Sequence, residues 1–360
     1  MSNNKLKIKV AKVVKETADA ISIYFEGTAF PYNYQSGQYL TLIAEINGKE
    51  VRRPYSLCTA DGIDTNPGVT IKRVPNGLMS NFLNDNIKEG VELEILETMG
   101  NFKYSPDPSL SRSLVLIGGG SGVTPMLSIL KKALKEEPNT KICFVYVNKN
   151  EASTIFYQDF EDLNKTHDNF TLVHYFSDDN KVEPVKKKGL GRLFKKKAKN
   201  DEFAHRINEP KLSEILTGFG IDEAEVFLCG PQGLMEVAEA TLKVNFSQWT
   251  LHQEKFFSAK EEKYEKSASE GKHKVTIKMN GETQEIEVGA VKSILFEGLD
   301  KGLDLPFSCQ SGLCTACMGK CTSGTIEMTE NSGLTDDEVA EGYILTCTGH
   351  PKSDVVIEIE

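Results

Sequence analysis

What this chain lacks narrows its possibilities first. No apolar run approaches the roughly 18 residues of a membrane span. The opening residues, Met1-Ser-Asn-Asn-Lys-Leu-Lys-Ile-Lys9, carry no apolar signal core. Export is therefore not expected and a cytoplasmic setting is. In that reducing compartment, clustered cysteines act as metal ligands sooner than as disulfides. The paired C-x2-C pattern usual for zinc is missing, as is the C-x2-C-x2-C-x3-C-Pro run of bacterial four-iron sites. A broad basic surface is missing too, with 52 acidic against 42 basic residues, so nucleic acid is not an expected partner. No internal repeat is visible.

What is present is concentrated near the C-terminus. Cys309, Cys314 and Cys317 stand as C-x4-C-x2-C, and Cys347 follows. That is the spacing of a plant-type [2Fe–2S] site, in which two irons need four thiolates. Gly312 suits the loop, because a missing Cβ lets backbone amides approach the cluster sulfurs. Thr315 and Ala316 are small and leave such a cluster partly exposed. Cys321 breaks the spacing and reads as a small packing residue. The same region is acidic: residues 272–360 hold 15 acidic and 7 basic residues, a balance of −8 out of −10 for the whole chain. An acidic face steers docking to basic partners, and equally it aids solubility.

At 360 residues the chain is long enough for two or three domains. Residues 5–105 alternate apolar and polar in short runs (Lys7–Val10, Ile21–Phe25, Val69–Lys72), with Asn47-Gly48 and Asn76-Gly77 as turn signals. This predicts an antiparallel barrel or sandwich. From residue 112 the pattern changes. An all-apolar run at 114–117 and further strand candidates at 142–147, 170–176 and 225–229 alternate with helices at 125–134, 154–163 and 233–242, which predicts a parallel α/β sheet. Lys186–Lys199 holds eight basic residues and no acidic one. It reads as a solvated insertion, or as a dock for an acidic partner or for the chain's own C-terminal part. Residues 258–271 are polar and aperiodic, as in a linker. Beyond them, strands at 275–279 and 284–288 flank Asn280-Gly281. A helix near 293–301, the cysteine loop and a last strand at 354–360 complete a small mixed sheet.

Three further stretches carry chemistry. In Arg52-Arg53-Pro54-Tyr55-Ser56, strand alternation puts Arg53 and Tyr55 on one face. Arg53 can pair with a phosphate, Tyr55 lie on a flavin ring and Ser56 reach its reactive edge. By itself such a stretch is more often plain strand surface. Gly77-Leu78-Met79-Ser80 precedes a helix read at 81–86, which suits a phosphate and equally suits a turn and cap. Gly118-Gly119-Gly120-Ser121-Gly122-Val123-Thr124-Pro125 follows a strand and opens a helix, the setting in which backbone amides hold a pyrophosphate. Cys229-Gly230-Pro231 repeats that strand–glycine–helix turn. Cys229 alone would be an ordinary buried thiol, and His252-Gln-Glu254-Lys-Phe256-Phe257 alone reads as core or linker.

Together these motifs resemble one family over nearly the whole chain: the ferredoxin–NADP reductase superfamily with a fused C-terminal plant-type ferredoxin domain. The resemblance implies a multidomain fold. An antiparallel FAD-binding β-barrel would span 1–110 and a parallel-sheet NAD(P)-binding α/β domain 111–257. A linker at 258–271 would lead to an α+β β-grasp [2Fe–2S] domain at 272–360. It implies that Arg53, Pro54, Tyr55, Ser56 and Gly77 to Ser80 hold FAD, and that Gly119, Gly120, Gly122, Thr124, Cys229, Gly230 and Pro231 hold NADPH or NADH. Phe256 would cover the flavin, and Ser56, Cys229 and Glu254 would line the hydride path. Cys309, Cys314, Cys317 and Cys347 would ligate the cluster. The implied activity is electron transfer from NAD(P)H to an oxygenase partner, a di-iron enzyme acting on phenylacetyl-CoA. Another hydroxylase or desaturase system, or a general flavin reductase, is the alternative. One departure stands out. Where NADPH-preferring members often carry Ser-Arg, this chain has Ser177-Asp178-Asp179, with Lys181 and Arg206 as other candidate cations.

Overall fold

The computed structural model describes residues 5–178, 206–256, 271–279, 281–289, 292–310 and 312–359. The basic stretch 186–199, Asp179, Lys181, Phe257 and all but the end of the expected linker lie outside them.

Six antiparallel strands open the chain: β1 (Leu6–Thr17), β2 (Ala20–Phe25), β3 (Tyr39–Ile46), β4 (Lys49–Ser56), β5 (Gly68–Lys72) and β6 (Glu92–Ile95), in the order β4-β3-β6-β1-β2-β5. A bridge between Leu57 and Val69 brings the two edges together and closes the sheet into a barrel. Asn47 and Gly48 sit at φ +54° and +73°, the left-handed pair that a two-residue hairpin requires. Asn76-Gly77 does not separate strands. It leads into α1 (Leu78–Asn86), which starts three residues earlier than expected because Met79 and Leu83 both face the barrel core.

The second unit is a parallel sheet of β7 (Ser113–Gly119), β8 (Lys141–Asn148), β9 (Phe170–Phe176), β10 (Glu225–Gly230) and β11 (Thr250–Lys255), ordered β11-β10-β7-β8-β9. Period-two alternation sorts its side chains. Leu114, Leu116, Phe144 and Phe227 pack with α2 (Val123–Glu136) and α3 (Tyr157–Thr166). Val115, Ile117, Val145 and Leu228 pack with α4 (Glu209–Gly218) and α5 (Gln232–Asn245). α3 begins at Tyr157 rather than 154, because Asn150 caps a short 3-10 turn and Phe156 then reverses the chain at φ +57°. The His252–Phe256 stretch, open to a linker reading, is mostly the edge strand β11.

The barrel and the sheet share one core, since Cys58, Phe102 and Tyr104 pack with Leu130 and Phe227. Polar contacts fix the seam. Ser128 Oγ donates to the Thr59 carbonyl at 2.6 Å, and Lys132 Nζ lies 2.9 Å from Asp61 Oδ2. Buried Glu137 receives Arg112, whose guanidinium also meets Glu225 and the Tyr104 ring.

The third unit is a mixed sheet of β12 (His273–Met279), β13 (Glu282–Val288), β14 (Met318–Ser323), β16 (Tyr343–Leu345) and β18 (Val355–Ile359). Its companions are α6 (Ile294–Asp300), α7 (Asp336–Ala340) and the small pair β15 (Ile326–Met328) and β17 (Gly349–Pro351). β12 runs parallel to β18, and α6 supplies Ile294 and Leu295 to the core. The elements from β14 to β17 had no periodic signal, being only three to six residues long.

His174 on β9 is buried among Tyr146, Tyr157 and Phe176, and neither ring nitrogen has a hydrogen-bond partner. Glu161 stands 3.6 Å away, beyond hydrogen-bond reach. Burial therefore dominates and pushes the imidazole pKa down to about 4. The unfolded chain takes up this proton near pH 6.5 and the folded chain resists until about 4, so the stability this site contributes is present above pH 6.5 and is lost as pH falls toward 4. His174→Phe should lose less stability between pH 7 and 4, by on the order of 2–3 kcal/mol, in denaturant titrations at the two pH values.

Candidate functional site

The ends of β4, β10 and β11 meet at the seam between barrel and sheet. Ser56 Oγ donates a 2.9 Å hydrogen bond to Glu254 Oε2, and both residues are buried. Glu254 pairs with Cys229 across the β10–β11 ladder, and Cys229 pairs with Gly118 of β7. Burial penalises the Glu254 carboxylate and pushes its pKa up to about 8, against a smaller opposing pull from Ser56. Burial, and then the proximity of Glu254, pushes the Cys229 thiol well up. Near neutral pH this corner presents a carboxylic acid, a hydroxyl and a thiol, all uncharged.

The strand order reverses between β7 and β10, the place where open α/β sheets take ligands. Their following turns press on each other. A Cβ on Gly122 would lie 2.3 Å from the Cys229 carbonyl oxygen, and one on Gly119 would lie 2.8 Å from Leu234 Cδ2. These glycines are thus required by turn-on-turn packing. Gly120 differs: it adopts φ +55° and a Cβ there would meet nothing within 4 Å, so it borders open space at the start of α2. The Thr124 hydroxyl is engaged by the Ser121 carbonyl at 3.1 Å. Gly230 packs on Gly119, and Pro231 precedes the first turn of α5. Backbone amides rather than side chains face the opening, which fits a dinucleotide pyrophosphate.

On the barrel, Arg53 and Tyr55 are half-buried on β4, and Arg53 Nη1 donates to the Arg52 carbonyl at 2.7 Å. The Met79 side chain is sealed into the barrel core, and Ser80 Oγ accepts from the Val74 amide at 3.1 Å. What α1 offers is therefore the amides of Leu78, Met79 and Ser80, which a helix start leaves without internal acceptors. Phe256 is exposed just past β11.

The four cysteines converge. Cys314 Sγ lies 3.3 Å from Cys309 Sγ, Cys317 contacts Cys347, and Cys347 also reaches Cys309. Among the described residues no three ligating side chains gather round a single ion's position. The four thiols form one connected set, in the C-x4-C-x2-C…C spacing that suits a two-iron cluster. Gly312 meets a further packing demand. It takes φ +75°, and a Cβ there would lie 2.7 Å from the Glu330 backbone, so glycine permits the turn and the close packing of the 330 segment. Thr315 is exposed and Ala316 half-buried.

Two residues not singled out from sequence join this centre to the barrel. Tyr39 of β3 packs with Cys309 and Cys314, together with Met99, Leu313 and Ala316. Arg52 is only 3% exposed: its Nη1 donates to the Phe307 carbonyl at 3.2 Å and its guanidinium lies 4.2 Å from the Phe307 ring centre. These contacts span more than 250 residues of sequence, and only a doubled arginine hinted at one of them.

Comparison with known proteins agrees with this geometry. Models of an oxidoreductase FAD-binding domain, an oxidoreductase NAD-binding domain and a 2Fe-2S iron–sulfur cluster binding domain match residues 6–104, 116–240 and 277–352. The chain is 32% identical to a component of the 1,2-phenylacetyl-CoA epoxidase of Escherichia coli, over 98% of this chain and 97% of that one. It is 32% identical to the ferredoxin reductase component of 3-ketosteroid-9-alpha-monooxygenase from Mycolicibacterium smegmatis, covering 99% and 97%. It is 29% identical to a glycine betaine monooxygenase reductase subunit of Pseudomonas aeruginosa, covering 99% and 96%. Among solved structures, phthalate dioxygenase reductase superposes with a TM-score of 0.65 at 22% identity, covering 99% and 98% of the two chains. The chain belongs to the ferredoxin–NADP reductase superfamily with a fused [2Fe–2S] domain, the family of reductase components of oxygenase systems. It is an oxidoreductase with domains for FAD, a nicotinamide nucleotide and a [2Fe–2S] cluster. Among the described residues no helix is long and apolar enough to cross a membrane.

Two outcomes follow from the packing. Glu254 has a folded pKa above its unfolded one, so the stability it contributes is full below about pH 4.5 and is lost as pH rises through about 8. In protein stripped of flavin, Glu254→Gln should therefore gain stability relative to wild type at pH 8–9 over pH 5, by a few kcal/mol at most on the scale of ~1.4 kcal/mol per unit. Gly122→Ala should lower stability without any ligand, by roughly 1–3 kcal/mol, because its Cβ meets backbone; denaturant midpoints measure both.

Proposed function

We propose that this chain carries electrons from NADH to the di-iron oxygenase of a phenylacetyl-CoA epoxidase system. The observation that carries the reading is the buried Ser56–Glu254 bond. It brings the barrel strand of the flavin motif against the strand end beside Cys229, while Tyr39, opposite Ser56 on the β3–β4 ladder, touches the cysteine loop. When bound, FAD takes a hydride from the nicotinamide and the [2Fe–2S] cluster carries the electrons onward singly.

In this reading the chain's own groups hold and orient. Arg53 and the first amides of α1 take the FAD phosphates, Tyr55 packs against the flavin ring and Phe256 covers its other side. Ser56, Cys229 and the neutral Glu254 line the hydride path without placing a charge on it. The open backbone at Gly120 and the Cys229-Gly230-Pro231 turn hold the nicotinamide nucleotide. Cys309, Cys314, Cys317 and Cys347 bind the irons. The working division is 1–110, 111–257, a linker at 258–271, and 272–360. Among the described residues the eight cysteines form no disulfide, which suits a reducing cytoplasm. The phenylacetyl-CoA system is favoured by the similarity to the Escherichia coli epoxidase component along nearly both whole chains.

Preference for NADH rests on Asp178, which lies two residues past β9 and accepts from Asn150 Nδ2 at 3.1 Å. A carboxylate there suits a ribose hydroxyl and repels a 2′-phosphate. Steady-state kinetics should show a higher kcat/KM with NADH, and Asp178→Ala should narrow the ratio about tenfold. Purified protein with NADH should reduce cytochrome c, and Cys314→Ser should cut that more than tenfold while sparing direct dye reduction. Full cytochrome c activity in that variant would refute the relay.

A further inference from the structure

Tyr39 lies between the two redox sites and has no role assigned above. It is 2% exposed and directly opposite Ser56 on the β3–β4 ladder. Its ring packs on Cys309 and Cys314, with Met99 and Ala316 closing the sides. Its hydroxyl is buried beside the Cys314 thiol and makes no well-aligned hydrogen bond. Cys314, Cys309 and Glu254 are close enough to act on that hydroxyl electrostatically, Cys314 most strongly. A fold keeps a poorly satisfied buried hydroxyl where a better acceptor arrives later. Neutral thiols are weak acceptors; metal-bound thiolates are anionic and strong ones. Glu254 is already engaged by Ser56.

We propose that the Tyr39 hydroxyl donates a hydrogen bond to the thiolate sulfurs at Cys309 and Cys314 when the cluster is bound, and so sets the cluster's reduction potential from the flavin side. Hydrogen bonds to cluster sulfur stabilise the more negative reduced form and raise the potential. The donor belongs to the barrel and its acceptor to the ferredoxin unit. The bond therefore forms only while the two are docked, and it couples cluster energetics to that docking. Arg52 on Phe307, two residues before Cys309, holds the loop in place for it.

The proposal rests on the cluster reading above, and the test separates the two. Tyr39→Phe removes the oxygen and keeps the ring. In the fully loaded protein, an EPR-monitored redox titration should show the cluster potential of Tyr39→Phe shifted negative by about 59 mV, a tenfold change in the one-electron equilibrium. The flavin potential should stay put, and a chelator should extract iron several-fold faster. Tyr104→Phe, which removes a comparably buried hydroxyl at the barrel–sheet seam, should leave the cluster potential unchanged. An unmoved cluster potential in Tyr39→Phe, or a shift in the flavin couple instead, overturns the proposal while leaving the relay standing. A wild-type protein with no cluster signal removes the reading beneath it.

Discussion

A neutral carboxylic acid gripped by a serine holds the centre of this molecule. The Ser56–Glu254 bond can form only if a barrel strand and an edge strand of a separate sheet end at the same point. The rest of the seam is arranged to make them do so. α2 runs beneath the barrel with Ser128 on the Thr59 carbonyl and Lys132 on Asp61, and Arg112 ties Glu137 to Glu225 at the far end. Because the carboxyl is buried beside an uncharged thiol, the corner stays electrically quiet near neutral pH. A fixed anion there would oppose the arrival of negative charge.

The neighbouring region on the same face of the β3–β4 hairpin has the reverse character. There four thiols converge, and the loop that carries three of them is pressed on Tyr39 and Met99 and held by Arg52. The two regions adjoin, since Tyr39 of β3 and Ser56 of β4 are cross-strand neighbours on one face. A short path through protein is thus built into one hairpin. The chain's acidity is concentrated beyond residue 272, in the unit that holds the four cysteines.

Much of this was legible in the residues. Thiolate spacing is a strict chemical demand, so the cluster loop announced itself. Period-two runs marked the barrel strands, and strand–glycine–helix turns placed the α/β sheet and its ligand edge. What failed to show had physical causes. The packing of the neighbouring turn against Gly119 and Gly122 was not visible in sequence, because it joins segments more than 100 residues apart. The short strands β14–β17 are too brief for periodicity. Arg52 and Tyr39 act across more than 250 residues, and no local pattern encodes such a contact.

The most direct test is anaerobic mixing of the oxidised, fully loaded protein with a small excess of NADH, following the flavin absorbance and the cluster's EPR signal in the same samples. The account predicts that the flavin bleaches first and the cluster signal then develops, at a rate independent of protein concentration, as electron transfer within one chain requires. A cluster that stays oxidised beside a fully reduced flavin, or that is reduced only in proportion to protein concentration, would contradict it.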